Sequence, residues 1–353
     1  MRNMTVAGPM FVATNLSGVY AKVRRPDIAA GPFNIGSLFN PNFLSRLLAL
    51  HTPTARAFRE KVLSRHWLPE DQISPLLMPQ IGVTHLLTAN VKVAEASFTS
   101  NNWSGGTIRG TWTDVVGIWR IPTVTKPSTP PGTGGTWNSS SWVGIDGTYG
   151  SNDVLQAGIQ QQVSINGDAS YVAWYEWFAP KQPNSPPYIF QTNIDNMPVF
   201  PGDEVFCGVH YVNRQGEIIF GNVDRGKYFS IVIAPPPGAS FSGNSAEWIT
   251  EAPSGGEPGT SIPRFTPVVF SSAFAGGPGS TSGDPAAGDT TNIQVFGQTL
   301  TSVSLRLDAL EIDYVDPVPS LRWFLLSKGF DPSQGIRHIQ PPITSVRDFM
   351  GFP

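Results

Sequence analysis

Glycine and proline are spread along this chain and limit its fold more than any other feature of the sequence. The 353 residues include 36 glycines and 33 prolines. In the interior of a helix, glycine costs about 1 kcal/mol relative to alanine, and proline about 3 kcal/mol. Long helical bundles and coiled coils are therefore excluded. No run of 18 or more apolar residues predicts a membrane-spanning helix. The length suits one large β-rich unit with appended segments.

Short runs of β-branched and aromatic residues recur from about residue 83 onward, separated by clusters of Gly, Pro, Ser and Asn. This pattern is typical of antiparallel strands and turns. The predicted strands are residues 107–120, 141–146, 154–163, 171–178, 204–212, 217–223, 228–234, 246–250, 266–274, 292–297 and 300–314. Because each sheet must bury one face against another layer, so many strands predict an all-β, antiparallel sandwich.

The two ends of the chain differ from this strand-rich middle. Residues 42–66 have a helical pattern, in which Asn42 and Thr52 are predicted N-caps and Pro53 is the first helical position of the second helix. We therefore divide the chain into three parts. These are residues 1–95, a partly helical N-terminal segment; residues 96–318, the sandwich; and residues 319–353, a C-terminal extension.

Charge is also distributed unevenly. Residues 1–80 contain nine basic and four acidic residues, net +5, whereas residues 81–320 contain ten and twenty, net −10. Nucleic-acid binding needs a basic surface interleaved with aromatic residues, and here the aromatic-rich middle is acidic, so we expect no nucleic-acid partner. The first 26 residues lack the compact apolar region of a secretory signal.

Several kinds of chemistry are excluded by residues that are missing or isolated. Cys207 is the single cysteine, which rules out an intrachain disulfide and a thiolate zinc site, and its apolar neighbours predict an inert core residue. The five histidines have no metal-binding spacing. We therefore predict no metal and no cofactor, which leaves carboxyl and amide groups as the candidate chemistry.

Three predicted strands carry such groups among apolar and aromatic residues. The two-residue period of a strand places Gln156 on the face opposite Leu155. It places Glu176 on the same face as Trp174, where burial would raise the pKa of the carboxyl group. Glu247 and Glu251 share a face of a third strand.

Six ordered motifs around these residues resemble those of the glutamic peptidases, or eqolisins. The motifs are Asn102 to Gly105, Val116 to Val124, Trp142 to Gly147, Leu155 to Gly158, Ala173 to Trp177 and Ala246 to Ile249. The resemblance covers roughly residues 100 to 275 and is weaker to about 315. Because no disulfide can form, the chain is more similar to prokaryotic members than to the secreted, disulfide-bonded fungal ones.

The resemblance implies a concanavalin-like sandwich with a substrate cleft on its concave face. It also implies a catalytic pair of Gln156 and Glu247. Glu247 would activate water as general base and return the proton as general acid, while Gln156 would stabilise the oxyanion. The positions that line or support the cleft are Trp103, Trp142, Asp146 and Glu176.

The expected activity is therefore acid endopeptidase cleavage of polypeptides. By resemblance, the enzyme would be secreted and residues 1–95 would be a removable pro-segment, held over the acidic cleft by their charge. Two other functions stay open: a non-catalytic carbohydrate- or surface-binding sandwich with stacking aromatic residues, and a glycoside hydrolase that uses Glu176 and Glu247.

Overall fold

The fold is a two-sheet β-sandwich with short helices near its N-terminus, seen in a computed structural model. The structure describes residues 21–22, 35–39, 41–49, 53–65, 67–69, 74–75, 97–132, 135–151, 153–179, 191–195, 197–253, 261–279, 281–306 and 309–317. The predicted C-terminal extension, residues 319–353, lies outside these ranges. No helix among them is long and apolar enough to cross a membrane.

The helices are short and lie where the sequence predicts them. A 3-10 turn covers Ile35–Leu38, α1 covers Pro41–Ala49, and α2 covers Pro53–Phe58 and continues into a π-helical turn over Arg59–Leu63. Pro53 is the first residue of its helix, as predicted. The prediction for Asn42 is wrong, because α1 begins one residue earlier and places Asn42 inside the first turn. Thr52 lies outside the described residues.

The strands are numbered in chain order. They are β1 Ala21–Lys22, β2 Leu68–Pro69, β3 Ser74–Pro75, β4 Ser97–Ser100, β5 Trp103–Arg109, β6 Asp114–Arg120, β7 Val124–Thr125, β8 Thr136–Ile145, β9 Val154–Ser164, β10 Ala169–Phe178, β11 Thr192–Asn193, β12 Glu204–Val212, β13 Gln215–Asn222, β14 Lys227–Ile233, β15 Ser245–Glu251, β16 Arg264–Phe265, β17 Val268–Gly276, β18 Ser282–Gly283, β19 Asp289–Val295, β20 Gln298–Thr299, β21 Thr301–Arg306 and β22 Ala309–Tyr314. A 3-10 turn covers Pro285–Ala287.

These strands form two large sheets. Sheet A has the order β1-β14-β13-β12-β6-β17-β22-β21, with β2 on β14 and β18 on β17. Sheet B has the order β20-β19-β5-β15-β8-β9-β10-β11-β3, with β4 on β19. Apart from β2 and β4, which pair in parallel, neighbouring strands are antiparallel. The predicted antiparallel sandwich is confirmed.

The main core lies between the two sheets. Leu155 and Ala157 of sheet B belong to one buried cluster with Val205, Cys207 and Val209 of sheet A. Cys207 is a free, fully buried thiol, and burial raises its pKa well above the ordinary value. It is therefore a core residue, as predicted.

A second core covers the outer face of sheet A. Phe39, Phe58 and Trp67 of the N-terminal region pack against residues that include Phe206 and Tyr228. Lys61 extends this contact with an ion pair to Glu204, at 2.6 Å. The described helices and Trp67 thus pack on sheet A, away from the face of sheet B that carries the candidate site. In the same N-terminal region, β3 instead pairs with β11 at the edge of sheet B.

Two predicted strands are each divided in the structure. Residues 107–120 form β5 and β6, because Gly110 and Trp112 donate backbone hydrogen bonds to Asn244 and Gly243 instead of continuing a strand. Residues 300–314 form the hairpin of β21 and β22. The other nine predictions each overlap an observed strand.

Candidate active site

Four neighbouring strands of sheet B bring the predicted catalytic pair onto one face. Glu247 on β15 lies opposite Gly144 on β8, and Gly144 lies opposite Gln156 on β9, which lies opposite Glu176 on β10. Directly opposed residues point to the same side of a sheet, here the side away from the main core. We call it the polar face. At about 4.8 Å per strand, the Cα atoms of Gln156 and Glu247 are about 10 Å apart.

Gly144 keeps the space between the two side chains open. A Cβ atom at this position would lie 2.9 Å from Cζ3 of Trp142 and 3.2 Å from Cβ of Gln156. No other residue type therefore fits here without displacing one of these neighbours. Gly144 lies within the motif Trp142 to Gly147, but nothing in that motif predicts a role for it in the site.

Gln156 is held in place by Glu176. Nε2 of Gln156 donates to Oε2 of Glu176 at 3.0 Å, and both side chains are 3% exposed. Burial, followed by the nearby charge of Glu251, raises the pKa of Glu176 to about 8, although the hydrogen bond from Gln156 opposes this shift. Nε2 carries a second hydrogen, and Oε1 of Gln156 has no hydrogen-bond partner.

Glu247 is fully buried and its two carboxyl oxygens have no hydrogen-bond partner. Burial raises the pKa of this carboxyl group well above its ordinary value, and the charge of Asp146 adds to the shift. The hydroxyl groups of Ser245 and Thr148 oppose the shift from nearby, although neither reaches an oxygen of Glu247 with the geometry of a hydrogen bond. Burial therefore favours the neutral form of the Glu247 carboxyl group.

Two of the predicted supporting residues surround a third carboxyl group, Glu251. Nε1 of Trp142 donates to Oε2 of Glu251 at 2.9 Å, and Asn102 donates to Oε1 at 3.3 Å. Trp103 also stabilises the ionised form of Glu251 and packs edge-on against Trp142, with ring centroids 5.0 Å apart. Burial nevertheless raises the pKa of Glu251 to about 7. Its position four residues after Glu247, on the same strand face, was the sequence signal for this residue.

Asp146 supports the site from the end of β8. It is fully buried, has a φ of 72°, and accepts hydrogen bonds from the backbone N–H groups of Ser242 and Asn244 at 2.7 and 2.9 Å. Asp153 accepts another from Ser240, and burial raises the pKa of Asp153 to about 6. These two carboxylates fix the loop that leads into β15 and thereby the position of Glu247. No sequence pattern pointed to Asp153.

All six predicted site residues therefore lie on or beside the polar face of sheet B. Within the described ranges, no group of three or more His, Cys, Asp or Glu side chains is arranged to hold a metal ion. The arrangement offers a buried acid, an amide with a free N–H, and a gap between them.

The chain is similar to several known proteins. The family model of the Peptidase A4 family matches residues 101–314, more than half of the chain. Aspergillopepsin-2 from Aspergillus niger is 28% identical over 231 residues, which are 61% of this chain and 78% of that protein. Scytalidopepsin B from Scytalidium lignicola is 26% identical over 160 residues, which are 45% and 54% of the two chains.

A solved structure shares the fold. Scytalido-glutamic peptidase, crystallised with a transition state analog inhibitor, aligns with a TM-score of 0.50 at 21% identity. The alignment covers 61% of this chain and 98% of that one. The matching part is the sandwich, and the shared architecture extends over nearly the whole of that structure.

Proposed function

Because this chain belongs to the Peptidase A4 family of glutamic peptidases, which hydrolyse peptide bonds, we propose that Gln156 and Glu247 are its catalytic pair. The observation that carries this proposal is their common row on sheet B, with only Gly144 between them. A peptide bond placed in that gap is within reach of a carboxyl group on one side and an amide on the other.

In the proposed reaction, the Glu247 carboxylate removes a proton from a water molecule, whose oxygen attacks the carbonyl carbon of the peptide. The second N–H of Gln156 donates to the oxyanion that forms. Loss of one such donor in other hydrolases costs about 3 kcal/mol of transition-state stabilisation. The carbon–nitrogen bond then breaks, and Glu247 gives its proton to the leaving nitrogen. Glu176 acts as a positioning residue because it fixes the Gln156 amide.

The burial of the pair supports a further part of the proposal, that this form of the chain is inactive. A general base must be ionised, but burial raises the pKa of Glu247 and so disfavours its ionised form here. When the site opens, water and substrate reach the carboxyl group, and its pKa falls towards the ordinary value. We propose that residues 1–95 act as a pro-segment of a secreted enzyme. Its described residues 35–69 remain bound to sheet A through the second core.

The geometry gives less support to the glycoside hydrolase. Glu176 and Glu247 are three strands apart in their row, which corresponds to about 14 Å between Cα atoms. A glycosidase uses the space between its two carboxyl groups for the sugar and water, whereas here Gln156 lies between them and donates a hydrogen bond to Glu176. A carbohydrate-binding role finds little support, because the polar-face tryptophans Trp103, Trp142 and Trp174 are at most 2% exposed.

Two substitutions test the pair. We expect Gln156→Ala to lower kcat on denatured casein about 10²- to 10³-fold and Glu247→Gln to lower it at least as much, between pH 3 and 7. The exposed residues Gln294 and Glu60 provide matched controls, Gln294→Ala and Glu60→Gln, which should keep full activity. Circular dichroism should show the same fold in all four variants. Substantial cleavage by either site variant would contradict the assignment.

The same incubations test the pro-segment. N-terminal sequencing after exposure to pH 4 should show a new N-terminus between residues 75 and 97, and residues 35–69 should co-purify with the remaining chain. Fully active enzyme that still begins at Met1 would contradict this part of the proposal, while leaving the catalytic pair untouched.

A further inference from the structure

Arg109 is the one Lys or Arg residue in all the strands of sheet B that the structure describes. Four carboxyl groups share its sheet face, those of Glu176, Glu247, Glu251 and Asp289. Arg109 is therefore the single basic group in the described strands of a face that carries four carboxyl groups.

Arg109 lies close to the catalytic row. It is the last residue of β5, two residues after Thr107, so both point to the polar face. Thr107 is directly opposite Glu247. At about 3.4 Å per residue, Arg109 is about 7 Å along the strand from that row, a distance that an extended peptide covers with two residues.

The guanidinium group is fixed by a tyrosine that is itself held in place. Cζ of Arg109 lies 5.6 Å from the ring centroid of Tyr149, whose hydroxyl donates to Oδ2 of Asp289 at 2.5 Å. Tyr149 has a φ of 51°, a left-handed conformation that is rare for an aromatic residue. Backbone strain of this kind persists where surrounding contacts over-determine it, often at functional sites.

The donors of Arg109 are nevertheless available. Arg225 and Arg264 are engaged by Asp203 and Asp316, whereas Arg109 is exposed and makes no ion pair with any described residue. The stack on Tyr149 therefore orients the guanidinium group but leaves its N–H groups free. Glu247 and Gln156 are buried whereas Arg109 is exposed, so Arg109 is the solvent-facing residue at the end of β5 beside the proposed site.

We propose that Arg109 is a specificity residue that binds a carboxylate side chain of the substrate, two or three residues from the scissile bond. This inference rests on the proposed function of the site. Guanidinium groups bind carboxylates through paired N–H donors, and an orientation fixed in advance lowers the entropy cost of that contact. The ligand is an Asp or Glu of a polypeptide. Tyr149 and Asp289 act only by holding Arg109.

A glutamate scan of a peptide substrate tests this proposal. A fluorogenic peptide with one cleavage site is made with Glu, and in parallel with Gln, at each position up to four residues on either side. At pH 5, where a glutamate side chain is mostly ionised, we expect Glu to be preferred over Gln about fivefold in kcat/KM at one or two adjacent positions. The effect should lie in KM. At pH 3 the preference should disappear, because the peptide carboxyl is then protonated.

Variants separate a specific role from an ordinary surface charge. Arg109→Gln should abolish the preference, and Arg109→Glu should replace it by a preference for Lys. Arg214, an exposed arginine in a turn of sheet A, provides the control Arg214→Gln, which should keep the wild-type profile. An unchanged profile in Arg109→Gln would overturn the inference.

The outcome is also distinguishable from failure of the proposed function. If wild-type protein cleaves none of the peptides, the function itself is wrong. Binding of labelled, uncleavable Glu and Gln peptides to the Glu247→Gln variant, measured by fluorescence anisotropy, then still tests Arg109. Equal binding of the two peptides would overturn the inference, and tighter binding of the Glu peptide would support it.

Discussion

The gap between the two proposed catalytic side chains predicts the result of one small substitution, Gly144→Ala. Gly144 lies in β8 between the strands that carry Gln156 and Glu247. The added methyl group would point into the space proposed for the scissile peptide bond. It changes neither catalytic residue, so it tests the geometry of the pair without altering its chemistry.

The magnitude follows from the contacts of the added atom. Its nearest neighbours would be Trp142 at 2.9 Å, Gln156 at 3.2 Å and the backbone oxygen of Leu155 at 3.2 Å. Carbon atoms normally approach to about 3.5–4.0 Å, so Trp142 or Gln156 must move by roughly 0.5–1 Å. Both side chains are buried and hydrogen-bonded, Trp142 to Glu251 and Gln156 to Glu176, so either displacement disturbs the proposed site. A displacement near 1 Å in a catalytic group can cost about 10²-fold in rate.

Stability should change much less than activity. Overpacking of this kind destabilises a protein by about 1–3 kcal/mol, which urea unfolding followed by tryptophan fluorescence would measure. Gly106→Ala is the matched control, because it lies in β5 of the same sheet and its nearest contact, Leu310 at 3.2 Å, is close to the 2.9 Å contact of Gly144. Gly106 faces the main core, so its variant should lose comparable stability and keep its activity.

The assay is kcat/KM for a fluorogenic peptide at pH 4, measured beside the unfolding curves. Gly144→Ala with wild-type activity and an intact fold would refute the assignment of this gap to the substrate. Equal activity losses in Gly144→Ala and Gly106→Ala would attribute the effect to general destabilisation of sheet B.

Two further predictions concern the buried carboxyl groups. The pKa of Glu176 is raised to about 8, so the group is neutral at acid pH. Glu176→Gln should therefore keep near wild-type kcat at pH 4, whereas Glu176→Ala should lose about 10²-fold in kcat by releasing Gln156. Equal losses in the two variants would contradict this. Burial raises the pKa of Glu176 to about 8 and that of Glu251 to about 7, so the native state binds protons more tightly than the unfolded chain. The free energy of unfolding should therefore fall as pH rises from 5 to 8, more weakly in a Glu176→Gln, Glu251→Gln variant; a rise with pH in the wild type would refute this.

The sequence predicted the sandwich and the residues of the polar face because both depend on local patterns. Strand periodicity placed Gln156 and Leu155 on opposite faces of the sheet. The pairing of Gln156 with Glu247 was implied by the resemblance to glutamic peptidases, which the ordered motifs carry. The row itself depends on register between strands far apart in the chain, which no local pattern encodes. For the same reason Asp153, whose partner Ser240 is in a distant loop, and Gly144, whose importance is an absence of side chain, were not predicted.

The location of the N-terminal helices was also beyond the sequence. Their net positive charge predicted a position over the acidic cleft, whereas the described part covers sheet A. Hydrophobic contact outweighs charge there: the interface buries Phe58 and Trp67 completely or nearly so, with one ion pair at its edge. Burial of aromatic area stabilises this position more than an electrostatic contact over the cleft would, because exposed ion pairs contribute at most about 1 kcal/mol.

The second core also bears on how this sandwich can be transplanted or shortened. The part that matches the family is residues 101–314. In that part, the outer face of sheet A carries the apolar residues Val116, Ile118 and Phe206. An apolar surface of this kind favours aggregation unless another hydrophobic element covers it. A recombinant fragment cut at the family boundary would therefore expose this apolar face and aggregate. A fusion protein or chimera must include the N-terminal helices that cover sheet A.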